Sequence, residues 1–178
     1  MGEGRLGIFQ ILFEWIKEGR NIYVIGNGNI KFQFLHALDL LDFYMLAMDK
    51  GKPGVYNVGT DRFSTLRETL ENLIDHAGTK SKVKSLPVGL TINTLKTLDF
   101  LKLSPLAPWH YLTYHKDFYF DVNPLLELGW KAKYSNDEML IESYEWFKQN
   151  QSKSVNGGGS PHRNIVKEKA LKILKHFS

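Results

Sequence analysis

Tyr144 and Lys148 have the spacing that could form a proton-transfer pair. A Tyr-x-x-x-Lys sequence places a phenol and an ammonium on one face of a helix. The ammonium of such a pair lowers the pKa of the phenol, which can then exchange a proton with a substrate. Trp146 and Phe147 lie between the two residues and favour a helix that packs on the body of the protein. We therefore interpret the pair as structural, and we predict no catalytic residue in the chain.

The glycine turn at residues 26–28 could hold a phosphate group. A dinucleotide-binding loop follows the pattern G-x-G-x-x-G and leads directly into a helix, whose amino end faces the pyrophosphate. Here Lys31 stands at the third glycine position, and the apolar residues after it predict a strand. The turn is therefore predicted to connect two strands, and no cofactor-binding residue is assigned in this chain.

The histidines and the aromatic segment 109–120 are the remaining candidates. None of the six histidines belongs to a His-x-x-x-His pattern, so no metal ligand is predicted. His36, within the predicted strand, is expected to be buried and hydrogen-bonded. The aromatic rings of segment 109–120 could cover the core. They could equally form a pocket wall on which a planar or apolar ligand stacks, with His115 or Lys116 meeting a charge.

Composition limits the class of protein. The chain has 178 residues, 43% of them hydrophobic and 24% charged, which suits one globular domain. It has no cysteine, which excludes disulfides, cysteine–zinc sites and thiol catalysis and fits a reducing compartment. The amino-terminal residues make a poor secretory signal, and no apolar run reaches membrane-spanning length. We expect a cytoplasmic protein.

The net charge of +4 is concentrated at one end of the chain. Residues 163–178 carry five Lys or Arg residues and one acidic residue, whereas basic and acidic residues balance in the rest of the chain. A nucleic-acid role is therefore not expected. Residues 163–178 predict a basic amphipathic helix, which could contact an anionic membrane surface or the body of the protein. Residues 151–162 predict a flexible Gly/Ser linker between that helix and the main domain, residues 1–150.

Helical and strand patterns alternate along residues 1–150 and indicate an α/β protein. Thr65 and Ser135 each precede a glutamate by three residues, which predicts a capping box at the start of a helix. Asp39 is predicted to be the N-cap of another helix. The predicted helices are 6–18, 40–48, 66–77, 88–103, a short one from about 123 that stops at Gly129, and 136–149; the predicted strands are 21–26, 32–36, 55–59 and 82–87.

Four segments in order resemble the carboxy-terminal half of the extended short-chain dehydrogenases, the NAD-dependent epimerase/dehydratase family. GRLGIFQILFEWIKEGRNIYVIGNG (4–28) is similar to the helix and strand that follow the family's first domain. KFQFLHALDLLDFYMLAM (31–48) resembles its R-x-F-x-H-V-x-D-L-A segment. GVYNVGTDRFSTLRE (54–68) resembles its Y-N-x-G strand, turn and helix. FDVNPLLELGWKAKYSNDEMLIESYEWF (120–147) resembles its closing segment.

The resemblance implies a partial, helix-rich α/β fold with a few short strands: the substrate-binding portion of such an enzyme. In the family, the glycine-rich cofactor loop and the catalytic Tyr-x-x-x-Lys precede this portion. NAD or NADP would therefore bind the intact enzyme, and this chain alone would bind neither and would be inactive. The implied partners are a small-molecule substrate, the missing amino-terminal Rossmann half and, where the protein self-associates, a second copy. The resemblance implies that these residues line the substrate pocket: Tyr23, Ile25, Gly26, Lys31, Gln33, His36, His115 and Lys116.

Two departures from the family keep alternative functions open. Phe32 stands where the family places a pocket arginine, and a second basic position upstream of Asp121 also lacks arginine. Guanidinium groups bind diphosphates through paired hydrogen bonds, so their absence leaves room for a less polar, sterol-like alcohol or ketone in place of a nucleotide sugar. The chain could also be a stand-alone, non-catalytic binding or assembly module.

Overall fold

A computed structural model describes residues 1–4, 6, 9–51, 53–104 and 108–154 of the chain. The expected helix 163–178 lies outside these residues, as does most of the expected linker. The elements in chain order are α1 (Phe9–Lys17), β1 (Ile22–Ile25), α2 (Ala37–Lys50), α3 (Leu66–Ala77), β2 (Val83–Leu86), α4 (Val88–Phe100), α5 (Pro108–Thr113), α6 (Asn123–Glu127) and α7 (Asn136–Ser154).

The two strands pair in parallel, with Ile22 opposite Val83 and Ile25 opposite Leu86. Parallel strands need a long crossover, and here α2 and α3 lie in the connection between them. The arrangement is the α/β fold with few short strands that the sequence predicts.

The main core lies where α1, α3 and α7 pack around the strand pair. Phe13 and Tyr144 are fully enclosed and meet edge to face, with ring centroids 5.6 Å apart. Burial of large rings and aliphatic side chains in this cluster stabilises the domain by removing apolar surface from water. Its buried members also include Ile16, Ile22, Leu70, Leu73, Met139 and Leu140.

A second, smaller core cluster lies under α2. It contains Phe43, Leu125, Trp130 and Ala132, with Leu46, Ala47, Tyr56 and Val58 packed against it. This cluster joins α2 and the segment after it to α6 and the loop before α7.

Both predicted capping boxes are present. The Thr65 hydroxyl accepts from the backbone N–H of Glu68, whose carboxylate accepts from the Thr65 N–H at 3.0 Å. Ser135 and Glu138 make the same reciprocal pair at the start of α7. These side chains satisfy N–H groups that have no partner within the helix. Gly78 ends α3 with φ +63°, as the sequence predicts.

The predicted strand 32–36 is wrong. Lys31 and Phe32 form isolated bridges, and the next four residues are irregular up to α2. Asn136 holds this segment: its Oδ1 accepts from the Phe34 N–H at 3.0 Å, and its Nδ2 donates to the Phe32 carbonyl. The segment is thus fixed by a side chain from α7 in place of a neighbouring strand.

The predicted N-cap of α2 is also wrong. His36, not Asp39, caps the helix, because its Nδ1 accepts from the Leu38 N–H at 3.2 Å. Asp39 lies in the first turn and is almost fully buried. Its carboxylate accepts from the backbone N–H groups of Lys133 and Tyr134, at 3.0 and 3.3 Å. The acidic side chain therefore ties α2 to the loop before α7.

Other predicted boundaries shift. Residues 55–59 were predicted to form a strand, but they lie outside the two described strands. The helix predicted over 88–103 ends at Phe100, and the aromatic segment contains the short helix α5. Helix α7 continues to Ser154, so the first four residues of the expected linker are helical. In the described part of the chain, no helix is long and apolar enough to cross a membrane.

Candidate functional site

Segments 31–33 and 117–120 run side by side and form the best-defined candidate surface. The Phe118 N–H donates to the Lys31 carbonyl at 2.8 Å, and the Gln33 N–H donates to the Phe118 carbonyl at 3.1 Å. The Asp117 carboxylate accepts from the backbone N–H of Lys31 at 2.8 Å. The two segments are thereby fixed in register, although they are 86 residues apart in sequence.

The aromatic rings of this ribbon divide between its two sides. On one side, Phe118 lies 5.7 Å from Phe32 and 5.8 Å from Phe120, measured between ring centroids. On the other, Tyr119 lies 5.6 Å from Phe63. Successive side chains of an extended backbone point to opposite sides, which explains the division.

We call Lys31, Phe63 and Tyr119 the Tyr119 platform. The Nζ of Lys31 lies 5.7 Å from the centroid of the Tyr119 ring, within the range of a cation–π interaction. Tyr119 is half exposed and Lys31 is exposed. The platform therefore presents a flat ring and a positive charge to solvent. Such a pair can stack on a planar group and meet an anion attached to it.

Gln33, a predicted pocket residue, is buried, and its side chain hydrogen-bonds to the backbone of two other segments. Its Nε2 donates to the Thr60 carbonyl at 2.7 Å, and its Oε1 accepts from the Phe120 N–H at 2.9 Å. A Cβ added at Gly59 would lie 2.5 Å from the Gln33 Cδ, so the two residues are in close contact. In this structure Gln33 positions the ribbon from beneath.

His36, another predicted pocket residue, is buried as expected. Its ring stacks on Tyr134 with centroids 3.9 Å apart. Because Nδ1 accepts a hydrogen bond, the ring proton lies on Nε2, which is 3.1 Å from the Glu142 carboxylate. The two atoms are in contact, but their geometry is not that of a hydrogen bond. The surroundings of His36 are those of a structural residue.

Tyr23, Ile25 and Gly26 belong to a different part of the molecule. Tyr23 lies on β1 opposite Lys84, with its side chain about one third exposed. Ile25 is buried. The Gly26 N–H donates to the Leu86 carbonyl at 2.8 Å. These three residues lie at the strand pair, whereas Lys31 and Gln33 lie in the ribbon.

The glycine turn does not fit a dinucleotide. Gly26 and Gly28 both have positive φ, at +76° and +75°. A Cβ at Gly28 would lie 3.1 Å from both Arg67 and Val24, so close packing of side chains explains the glycine. The next helix along the chain begins at residue 37, and the amino end of α3 is occupied by the turn itself, because the Arg67 N–H donates to the Gly28 carbonyl at 2.9 Å. The turn packs on α3.

His115 and Lys116 flank the ribbon. His115 is half-buried, and its Nδ1 has no hydrogen-bond partner among the described residues. Lys116 is exposed, and its N–H donates to the Thr113 carbonyl. No group of three or more possible metal ligands occurs in the part of the chain that the structure describes.

Tyr144 and Lys148 do not form an accessible acid–base pair. Tyr144 is buried in the main core, and burial raises the pKa of its phenol despite the nearby Lys148 ammonium. The Lys148 ammonium pairs with Glu145 at 2.8 Å. Burial likewise raises the pKa of Tyr114 to about 12. Both phenols hold their protons near neutral pH, so neither suits proton transfer.

The sequence did not predict a role for Asp117, Tyr119 or Phe63. Asp117 and Tyr119 contact Lys31, and Phe63 contacts Tyr119. Asp117 and Tyr119 lie within the aromatic segment that had two open interpretations, so that segment was the available signal. No sequence signal pointed to Phe63, because Phe63 contacts a residue 56 positions away in the chain.

Comparison with known proteins connects this fold to one family. Residues 3–59 match the sequence profile of the NAD dependent epimerase/dehydratase family. The chain is 41% identical over 177 residues to the uncharacterised protein y4nG of Sinorhizobium fredii, and the match covers 99% of this chain and 45% of that protein. It is 29% identical over 130 residues to a probable UDP-arabinose 4-epimerase of Arabidopsis thaliana, covering 71% of this chain and 26% of that protein.

The fold agrees with a solved structure at lower identity. The UDP-glucose 4-epimerase of Thermotoga maritima, solved with UDP-glucose, superposes with a TM-score of 0.59 at 22% identity, covering 85% of this chain and 44% of that chain. The chain thus spans less than half the length of these relatives. On this sequence and fold similarity, the chain is a partial member of the NAD dependent epimerase/dehydratase family.

Proposed function

We propose that this chain is the substrate-binding portion of a nucleotide-sugar epimerase or dehydratase and that the Tyr119 platform receives the nucleotide. The observation that carries the proposal is the position of the Lys31 ammonium over the exposed Tyr119 ring. In a complex, the nucleotide base stacks on Tyr119, and Lys31 pairs with the diphosphate. The UDP-arabinose and UDP-glucose 4-epimerases named above are enzymes of UDP-sugars, which carry both a planar base and a diphosphate.

The reactive groups of the proposed enzyme lie outside this chain. The glycine turn does not fit a dinucleotide, and Tyr144 is buried with its pKa raised. We therefore propose that the chain alone binds without turnover, and that NAD or NADP is held by the part of the enzyme that this chain does not span.

Titration of the full chain with UDP and dTDP tests the proposal. Chemical shifts or calorimetry should give weak, saturable binding that Tyr119→Ala and Lys31→Met each weaken by about tenfold, the equivalent of roughly 1.4 kcal/mol. Lys96→Met is the matched control, because Lys96 is an exposed lysine on α4. Binding that is unchanged in both platform variants, or equally weakened in the control, would contradict the proposal.

A less polar substrate is the second candidate. Phe118 and Phe120 are each almost half exposed on the side of the ribbon away from Lys31, where a ring system of an alcohol or ketone could pack. Phe32, in the position where nucleotide-sugar enzymes are expected to have arginine, lies on the same side. A soluble steroid alcohol that binds to the wild type and loses affinity in Phe120→Ala, with no response to UDP, would favour this candidate.

A stand-alone binding module is the third candidate function. The described residues include a main core of their own, formed by α1, α3, α7 and the strand pair, which favours independent folding. A monomer with cooperative thermal unfolding would support the module, whereas an associating chain without a cooperative transition would support a portion of a larger enzyme.

A further inference from the structure

The turn between β1 and the ribbon contains an Asn-Gly pair, at Asn27 and Gly28. In such a pair the backbone nitrogen of the glycine can attack the side-chain carboxamide of the asparagine, because glycine has no Cβ to obstruct the approach. Asn27 is exposed, and so is Asn29 on the other side of Gly28. The reacting groups of this pair therefore lie in a turn that is in contact with solvent.

The Asn27 side chain is folded toward the backbone nitrogen that can attack it. Its Oδ1 accepts from the Asn29 N–H at 3.0 Å, which is the hydrogen bond of an Asx turn. The ring that this bond closes contains the Cγ, Cβ, Cα and carbonyl carbon of Asn27 and the nitrogen of Gly28. These are the ring atoms of a succinimide, so the turn brings the atoms that cyclise into one hydrogen-bonded ring.

The same hydrogen bond also favours the reaction electrostatically. When the Gly28 nitrogen attacks the Asn27 Cγ, negative charge develops on Oδ1, and the Asn29 N–H already donates to that oxygen. A donor that is fixed at a developing oxyanion stabilises the tetrahedral intermediate. The turn therefore holds an oxyanion donor in place before the reaction begins.

Arg67 acts on the nucleophile. The Gly28 nitrogen attacks after it has lost its proton, and the charge of the resulting anion is shared with the Asn27 carbonyl oxygen. The Arg67 Nε–H donates to that oxygen at 2.6 Å. A guanidinium in this position stabilises the negative charge and makes the Gly28 N–H easier to deprotonate. Among the described residues, the Gly28 N–H donates no hydrogen bond that would have to break first.

We propose that Asn27 is a site of spontaneous deamidation, which the folded turn promotes. The Gly28 nitrogen forms a bond to the Asn27 Cγ, and the Cγ–Nδ2 bond breaks. The Gly28 proton passes through solvent to the leaving nitrogen, which departs as ammonia. Water then opens the succinimide at either carbonyl carbon and leaves aspartate or isoaspartate, with no oxidation or reduction. The inference goes beyond the proposed function and does not depend on it.

Isoaspartate changes the main chain as well as the charge. It inserts the Cβ of residue 27 into the backbone, so the turn becomes longer by a methylene group. Arg67 holds the unmodified turn at two points, with its Nε–H on the Asn27 carbonyl and its backbone N–H on the Gly28 carbonyl at 2.9 Å. A longer turn strains both bonds, so we expect the isoaspartate form of the protein to be less stable.

The test follows the full chain during storage in neutral buffer. Tandem mass spectrometry of its peptides measures the replacement of the amide by an acid at each asparagine, and electron-transfer fragmentation separates isoaspartate from aspartate. Asn27 should convert at least about tenfold faster than Asn29, which is also exposed but precedes the β-branched Ile30. Isoaspartate should be present at position 27, and the fraction that contains it should unfold at a lower temperature than the unmodified chain.

Arg67→Gln tests the role of the guanidinium. In neutral buffer it should slow conversion at Asn27 about tenfold, because a solvent-accessible donor contributes less than the buried oxyanion donors of enzymes. In concentrated urea, where no fold holds the guanidinium in place, wild type and variant should convert at the same rate. Arg20→Gln is the matched control, since Arg20 pairs with Glu18 at the opposite end of β1. It should leave the rate unchanged in both solvents.

Thermal unfolding shows that each variant is folded before the rates are compared. Where Arg67→Gln does not fold, the wild type in buffer and in urea still decides: conversion at Asn27 that is slower in buffer would overturn the proposal. A folded Arg67→Gln variant that converts as fast as the wild type in buffer would also overturn it. So would aspartate without isoaspartate, which would indicate direct hydrolysis of the carboxamide. The readouts need no nucleotide, so failure of UDP binding would count against the proposed function alone.

Discussion

The Nε2 of His36 lies 3.1 Å from the Oε2 of Glu142, so the residue that caps α2 is in direct contact with α7. The same ring caps the helix through Nδ1 and stacks on Tyr134. One buried imidazole thus makes three different interactions, and substitutions can separate them.

His36→Ala should lower the free energy of unfolding by about 3 kcal/mol, because it removes the cap, the stacked ring and the contact with Glu142. His36→Asn should cost about 1 kcal/mol less than His36→Ala, because the asparagine oxygen can still cap the helix. Urea denaturation at neutral pH measures both. Equal losses in the two variants would show that the cap contributes nothing.

Gly59→Ala should destabilise the fold by about 2 kcal/mol, because the added Cβ would lie 2.5 Å from the Gln33 side chain and force a shift. Gln33→Ala removes the obstructing carboxamide. In a double-mutant cycle, the cost of Gly59→Ala should therefore be smaller in the Gln33→Ala background. Strictly additive losses would contradict the contact.

Asp39→Ala should lower the free energy of unfolding by about 3 kcal/mol, because two backbone N–H groups, at Lys133 and Tyr134, lose a shared acceptor. Asp39→Asn keeps one acceptor oxygen and should show a smaller loss. Hydrogen exchange at these two amides should be faster in the alanine variant. Exchange that increases equally across α3 would instead indicate general destabilisation.

Acid should weaken the fold through the two capping boxes. The backbone N–H of Ser135, and then its hydroxyl, hold the pKa of Glu138 below the ordinary value of 4.5, and Thr65 does the same for Glu68. A lowered carboxyl pKa stabilises the folded state above the unfolded-state pKa, and this contribution is lost as pH falls through the folded-state pKa. The midpoint of urea unfolding should therefore decrease below pH 4.5.

Glu138→Gln and Glu68→Gln should each make that decrease shallower. The two glutamates start different helices, so the double variant should combine both effects. An unchanged acid dependence in the double variant would contradict the assignment. Because both side chains are largely solvent-exposed, the effect should be small and should diminish at high salt.

Local sequence signals predicted the helix ends well. The capping boxes at Thr65 and Ser135 and the stop at Gly78 depend on residues within four positions of one another, which is why their pattern is readable. Strands were also predicted at 21–26 and 82–87, which contain β1 and β2, although their parallel pairing was not. The cap of α2 was missed because a buried histidine took the role for which aspartate is the usual residue.

The strands predicted at 32–36 and 55–59 show where sequence reasoning fails. The first is held by Asn136, a partner about one hundred positions away, which a local pattern cannot reveal. The second has strand composition but no place in the described sheet. Strand formation depends on a neighbour as well as on propensity, and that neighbour need not be near in sequence.

The candidate site was predicted in part. Lys31 was named from the family resemblance, and the structure gives it Tyr119 as a neighbour. Gln33 and His36 were named for the same reason; Gln33 is hydrogen-bonded to Thr60 and Phe120, His36 is hydrogen-bonded to Leu38, and their contact with a ligand stays a prediction. Whether the remaining pocket residues meet a ligand stays a prediction.

The bonds from Asn136 to Phe32 and Phe34 join positions 104 and 102 residues apart. During synthesis on the ribosome, residues 32–34 therefore wait until Asn136 has emerged before they can take their final path. At about 5–20 residues per second, that interval lasts roughly 5–20 s. Until then this segment lacks its bonds to Asn136, and a chain that stops upstream of position 136 would never form them.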